Sequence, residues 1–131
     1  MKLILGNAGK RHDSSGILYL LSFKVDGVQV VKIGVTCRPK VEERVCEILT
    51  SIWKRYRTFP ECYVKRYKKV PDVYQKETQL LRQFSGQAFT PKFVFTGSTE
   101  LVTATLEEVT EAYDNLTAGI EAIPEEPEET V

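Results

Sequence analysis

The chain is poor in several things that would each name a function class. Its single histidine, His12, argues against zinc sites built from several histidines and against a Ser-His-Asp triad; outside any motif, it reads as a surface residue. Three cysteines, Cys37, Cys46 and Cys62, form no CxxC pair and cannot all pair with each other, so a disulfide framework is not expected and a reducing cytoplasm is the default. No apolar run approaches the length of a membrane span, and the apolar part of MKLILGNAGKRHD is too short for a signal peptide. No internal repeat, second domain, helix-turn-helix or zinc finger is visible. Basic residues are absent from the last quarter. All 18 Lys and Arg lie before Gly97, beside 8 acidic residues, and the remaining 10 acidic residues follow it. The zero net charge therefore hides a basic body, suited to a polyanion, and an acidic C-terminal portion.

At 131 residues the chain is long enough for one domain with a real core. Two apolar runs, Ile17–Phe23 and Val28–Val35, flank Val25-Asp26-Gly27. Asp-Gly between β-prone runs predicts a tight hairpin. Gly16 opens the first strand, and Gly34 closes the second, where a backbone can approach another molecule closely. Tyr19 and Lys32 interrupt the apolar runs with groups able to move protons or meet phosphate. Pro39 then starts a helix whose apolar face is Val41, Val45, Ile48, Leu49 and Ile52, with Arg44 at its border.

Lys54 to Lys69 is the most basic and aromatic stretch. Lys54, Arg55, Arg57, Lys65, Arg66, Lys68 and Lys69 interleave with Tyr56, Phe59, Tyr63 and Tyr67, a pattern of nucleic-acid contact in which cations meet phosphates while rings pack or stack. Cys62–Val70 predicts a third strand. Pro71 and Asp72 open a second helix with Val73, Leu80, Leu81 and Phe84 buried. Glu77 falls about 40° from Val73 on the helical wheel, inside that apolar stripe. A carboxylate there is costly unless paired or bound to metal. Lys92–Phe95 predicts a further short strand or an extended segment. Thr105 and Glu108 form a capping-box pattern ahead of a last helix with Leu106, Val109, Tyr113 and Leu116 buried. The expected fold is α+β, a small antiparallel three-stranded sheet flanked by helices with a β-hairpin first. It divides into an arm over 1–15, a folded domain over 16–120 and an acidic, Pro-rich tail over 121–131 that composition marks as disordered.

GILY at Gly16–Tyr19 and KIG at Lys32–Gly34 resemble the two halves of the signature of GIY-YIG nucleases, in the branch frequent in phages and mobile elements that has KIG in place of YIG. EER at Glu42–Arg44, ExxLLxxF at Glu77–Phe84 and GSTEL at Gly97–Leu101 follow in the same order. The resemblance implies a metal-dependent DNA endonuclease that hydrolyses one phosphodiester, nicking a single strand. It implies Glu77 as ligand of Mg²⁺ (or Mn²⁺), Arg44 on a non-bridging phosphate oxygen, and Tyr19 as the group that orients or deprotonates water. Lys32 would lower the Tyr19 pKa or act as the base itself, and which of the two takes the proton stays open. Arg38 is a further phosphate contact. The alternative is a catalytically weak or inactive module of the same type that binds nucleic acid or inhibits. DNA is the expected partner, with no membrane, a monomer or weak dimer, and a protein partner for targeting. The expected place is the cytoplasm, of a bacterial host if the chain is phage-encoded.

Overall fold

In the computed structural model, which describes residues 15–120, the order is β1 (Gly16–Val25), β2 (Val28–Thr36), α1 (Val41–Tyr56), β3 (Tyr63–Val70), α2 (Val73–Gln83), a 3-10 turn (Ser85–Gln87), β4 (Leu101–Val102) and α3 (Leu106–Leu116). The arm up to residue 14, with His12, and the acidic tail lie outside the described residues. Asp26 and Gly27 both have positive φ, 55° and 74°, as a two-residue type I′ turn requires. The register then runs unbroken from Val25↔Val28 to Ile17↔Thr36.

The antiparallel sheet has the order β3-β1-β2-β4, so the three expected strands gain a fourth. β4 pairs Leu101 with Lys32 and Val102 with Val31, and two residues are too few for alternation to announce a strand. Lys92–Phe95 forms no strand. Its amides go to side chains instead: Lys92 N–H to Asp26 Oδ2 at 2.7 Å, Phe93 N–H to Tyr56 Oη at 3.2 Å and Phe95 N–H to Ser98 Oγ at 3.3 Å. Neither proline lies inside a helix. Pro39 precedes Lys40, the extended N-cap of α1. Pro71, which has no N–H to extend a ladder, follows the last residue of β3, and Asp72 turns the chain through the left-handed region (φ 53°) before α2 begins.

β1 is buried on both faces, so its run is apolar almost throughout. Alternation divides it between two cores. Leu18 and Leu20, with Val31 and Ile33 of β2, face α2 and α3 through Val73, Leu80, Phe84, Val109 and Tyr113. Ile17, Tyr19, Leu21 and Phe23 face α1 through Val41, Ile48 and Ile52, with Phe95 and Leu101 beside them. α3 starts with the expected capping box: Glu108 N–H donates to Thr105 Oγ1 at 3.1 Å, and Thr105 N–H donates to Glu108 Oε1 at 3.2 Å. Its Tyr113 hydroxyl donates to the Leu18 carbonyl at 2.6 Å, which ties the helix to the central strand.

Candidate functional site

Tyr19 lies opposite Gly34 in the β1–β2 ladder, and that pairing explains the glycine. A Cβ at position 34 would stand 2.4 Å from both Cζ and Oη of Tyr19, so any side chain there would expel the ring. Gly34 thus makes room for Tyr19 and not for another molecule, and β2 continues past it to Thr36. The ring is fully buried, yet its hydroxyl has no hydrogen-bond partner among the described residues. An orphaned buried hydroxyl costs about 1–3 kcal/mol.

Lys32, opposite Leu21, lies on the same α1-facing side and is 1% exposed. Its Nζ donates to Glu100 Oε1, from the residue just before β4. The backbone of that residue also accepts from Ile33 N–H at 3.1 Å, so one residue anchors both the strand and the lysine. Gly97 closes over the lysine at φ 81°, where a Cβ would lie 3.1 Å from Lys32 Cε and 3.4 Å from Nζ. Burial pushes the Lys32 ammonium below its ordinary pKa, against the opposing pull of Glu100 and Glu77. GSTEL thus holds the lysine; the motif was visible in the sequence, and the role of Glu100 was not, because nothing local links positions 32 and 100.

Arg44 projects from α1 beside Tyr19. The guanidinium polarises the phenol, but the approach falls short of a hydrogen bond, and Arg44 Nε, also buried, has no partner among the described residues either. Arg44 is thus a cation that favours the ionised phenol. Burial outweighs it and raises the Tyr19 pKa. The outer end of the guanidinium meets Glu47, with Nη1 3.0 Å from Oε1. The other carboxylate oxygen of Glu47 accepts from Arg38 Nη2, and Arg38 also lies 3.9 Å from Glu43. One carboxylate bridging two arginines was not anticipated, although the i,i+3 spacing of Arg44 and Glu47 permits it. Arg44, Glu47 and Arg38 line a surface cleft of about 410 Å³ with Val35, Thr36, Cys37 and Tyr74.

Glu77 is half-buried on α2, the helix across the sheet from α1. Its charge nevertheless acts on both Tyr19 and Lys32, raising each pKa. Beyond Ile33 the outer side of β2 has no ladder partner among the described residues. Tyr19, Lys32, Arg44 and Glu77 thus share one electrostatic neighbourhood, with Glu100 as a fifth member. Among the described residues, no group of three or more His, Cys, Asp or Glu is placed to hold a metal.

The basic stretch divides into engaged and unengaged cations. Arg66 pairs with Asp114 of α3, Nε to Oδ1 at 3.0 Å, and Lys68 Nζ donates to Thr117 Oγ1 at 3.0 Å. Among the described residues, Lys54, Arg55, Arg57, Lys65 and Lys69 make no ion pair with a carboxylate. Lys54 and Arg55 close α1, where cations also suit the helix dipole. Lys65 and Lys69 lie on β3, an edge strand that charge protects from pairing with another chain. No helix among the described residues is long and apolar enough to cross a membrane.

No curated protein and no solved structure matches the chain significantly. A family model does, over residues 16–117, a span that takes in every strand and helix described above. The chain belongs to the T5orf172 domain family, a family associated with nuclease-like and DNA-binding modules.

Proposed function

We propose that the protein is a metal-dependent DNA endonuclease of the GIY-YIG type that nicks one strand by phosphodiester hydrolysis. The observation that carries this reading is the pair of orphaned buried polar atoms, Tyr19 Oη and Arg44 Nε, in the electrostatic neighbourhood of Lys32 and Glu77. A stable core satisfies such atoms. Leaving two unsatisfied beside a buried lysine suits a site completed by a substrate phosphate and its attacking water.

The donor set fits Mg²⁺ or Mn²⁺. A hard cation of this kind keeps most of its waters and needs only one or two carboxylates, which Glu77 can provide without a three-residue cluster. Bound there, the ion supplies Lewis acidity toward the phosphate and charge for the leaving oxygen. The protein's own groups divide the rest. Arg44 binds a non-bridging oxygen, with Arg38 on a neighbouring phosphate, each exchanging its Glu47 oxygen for one from the substrate. Burial keeps the proton on Tyr19, so the phenol orients the water and does not deprotonate it. Burial favours the neutral amine of Lys32, which makes Lys32 the better proton acceptor, with Glu100 holding it in place. Lys54, Arg55, Arg57, Lys65 and Lys69 carry the backbone of the duplex, and Arg66 and Lys68 join them to the extent that α3 releases them.

One feature favours the rival reading of a catalytically weak binding module: Tyr19 and Lys32 are both closed off from solvent. A supercoiled-plasmid assay with Mg²⁺ or Mn²⁺, wild type beside Glu77→Ala, decides between them. Nicking by the wild type alone supports the enzyme. DNA retention without nicking by either protein supports the module.

A further inference from the structure

The end of α1 carries an aromatic group that no part of the proposed cleavage chemistry uses. The Trp53 and Phe59 rings are stacked, with centroids 6.0 Å apart and planes at 21°. The Arg57 guanidinium lies over the same indole at 4.7 Å. Arg57 takes φ 59°, unusual for a side-chain-bearing residue, and its N–H caps the helix on the Trp53 carbonyl at 2.7 Å. The turn is therefore fixed from both sides, by the backbone bond and by the cation over the ring. Phe59 is 62% exposed and Trp53 37%. Neither belongs to either core, and an aromatic pair held this firmly outside a core is not accounted for by folding.

We propose that Trp53, Phe59 and Arg57 form a stacking platform for unpaired bases, so that the protein binds single-stranded DNA adjoining the duplex it meets. This rests on the nucleic-acid reading above. The surrounding charge identifies the occupant. Lys54 and Arg55 close the helix that Arg57 caps, and all three are without a carboxylate partner among the described residues. An apolar protein surface would leave those cations buried and unpaired, whereas a polyanionic strand neutralises them. The exposed ring selects single strands over duplex. Bases inside a duplex already have both faces stacked, and only an unpaired base has a free face to place on Phe59. Cations track the backbone while rings take bases, which tolerates any sequence.

Trp53 is the only tryptophan in the chain, so it reports on its own site. In EDTA, which prevents cleavage, the full chain is titrated with a 20-nucleotide oligothymidylate and, separately, with a duplex of the same length. The expected result is saturable quenching of tryptophan fluorescence by the single strand. Phe59→Leu, which keeps an apolar side chain at an exposed position and removes only the ring, should weaken single-strand binding roughly five- to a hundredfold, the loss of one stacked base. Its duplex binding should stay within about twofold. Binding of the oligothymidylate without quenching, or equal losses for both DNAs, overturns the platform. Plasmid nicking separates this outcome from the nuclease reading. Nicking without a single-strand preference removes the platform alone, and quenching without nicking removes the enzyme alone.

Discussion

Two fully buried tyrosines lie on opposite faces of β1. Tyr113, under α3, donates its hydroxyl to the carbonyl of Leu18, while Tyr19, the next residue along β1, carries a hydroxyl with no partner under α1. Around Tyr113 the core is aliphatic and aromatic, and the cations at its margin are engaged, with Arg66 paired to Asp114 and Lys68 bonded to Thr117. Around Tyr19 it includes a buried lysine, an arginine and the influence of two glutamates. One face satisfies its polar atoms and stabilises the domain. The other leaves two of them, Tyr19 Oη and Arg44 Nε, unsatisfied at a cost in stability, the usual mark of a surface arranged for a ligand.

The largest effect expected from this contrast is on catalysis. Lys32→Arg keeps the positive charge and removes the proton acceptor, since guanidinium does not deprotonate at accessible pH. Nicking should fall by about 10²–10⁴-fold. Wild-type rates, followed by plasmid relaxation, should rise with pH as the Lys32 ammonium loses its proton, from a value below the ordinary 10.5. A flat profile together with an active Lys32→Arg protein would return the proton to Tyr19.

On the other face, Leu80→Ala should lower unfolding free energy by about 2–5 kcal/mol, measured by urea denaturation. The surviving folded fraction should nick normally, because Leu80 is fully buried between α2 and the sheet. A specific loss of activity per folded molecule would show that repacking α2 displaces Glu77, three residues earlier on the same helix.

Phenylalanine at each tyrosine tests the comparison directly. Tyr113→Phe removes a buried hydrogen bond and should cost about 1 kcal/mol. Tyr19→Phe removes a hydroxyl that has no partner, so stability should hold or improve while nicking falls. Lys32→Met should behave similarly for a related reason. A lowered folded pKa means that the unfolded chain holds the proton more tightly, so the charged lysine opposes folding. The stability gained by Lys32→Met should be greatest below the folded pKa and shrink as pH rises toward 10.5. Melting temperatures across that range check the sign, and a gain that grows with pH would contradict it.

The smallest effect concerns the carboxylate between Arg38 and Arg44. Glu47→Gln removes the internal competitor for phosphate and should tighten DNA binding at low salt by roughly two- to fivefold, about 0.5–1 kcal/mol. The gain should fade as salt screens the exposed partners. Weaker binding would instead mean that Glu47 positions the arginines and does not compete.

Much of this was legible in the chain. Asp26-Gly27 specified the hairpin because few residue pairs accept two positive φ values in succession. Thr105 and Glu108 specified the start of α3 because a capping box is complete within four residues. The helical spacing of Val41, Ile48 and Ile52, and of Val73, Leu80 and Phe84, gave each helix its buried face, and Glu77 stood out as a carboxylate inside such a stripe. These are local properties, fixed by neighbours in sequence, and the amino-acid order determined them unaided. The relations between distant positions were decided only in three dimensions. Gly34 is a glycine because β-pairing sets it against Tyr19, fifteen residues earlier. Glu100 meets Lys32 because β4 adds two residues to the sheet. Lys92–Phe95 fails as a strand because Asp26, Tyr56 and Ser98 take its amides. Whether Tyr19 or Lys32 keeps its proton also depended on burial. Desolvation is a property of what surrounds a group from every side, and that is set when the sheet and the helices close around it.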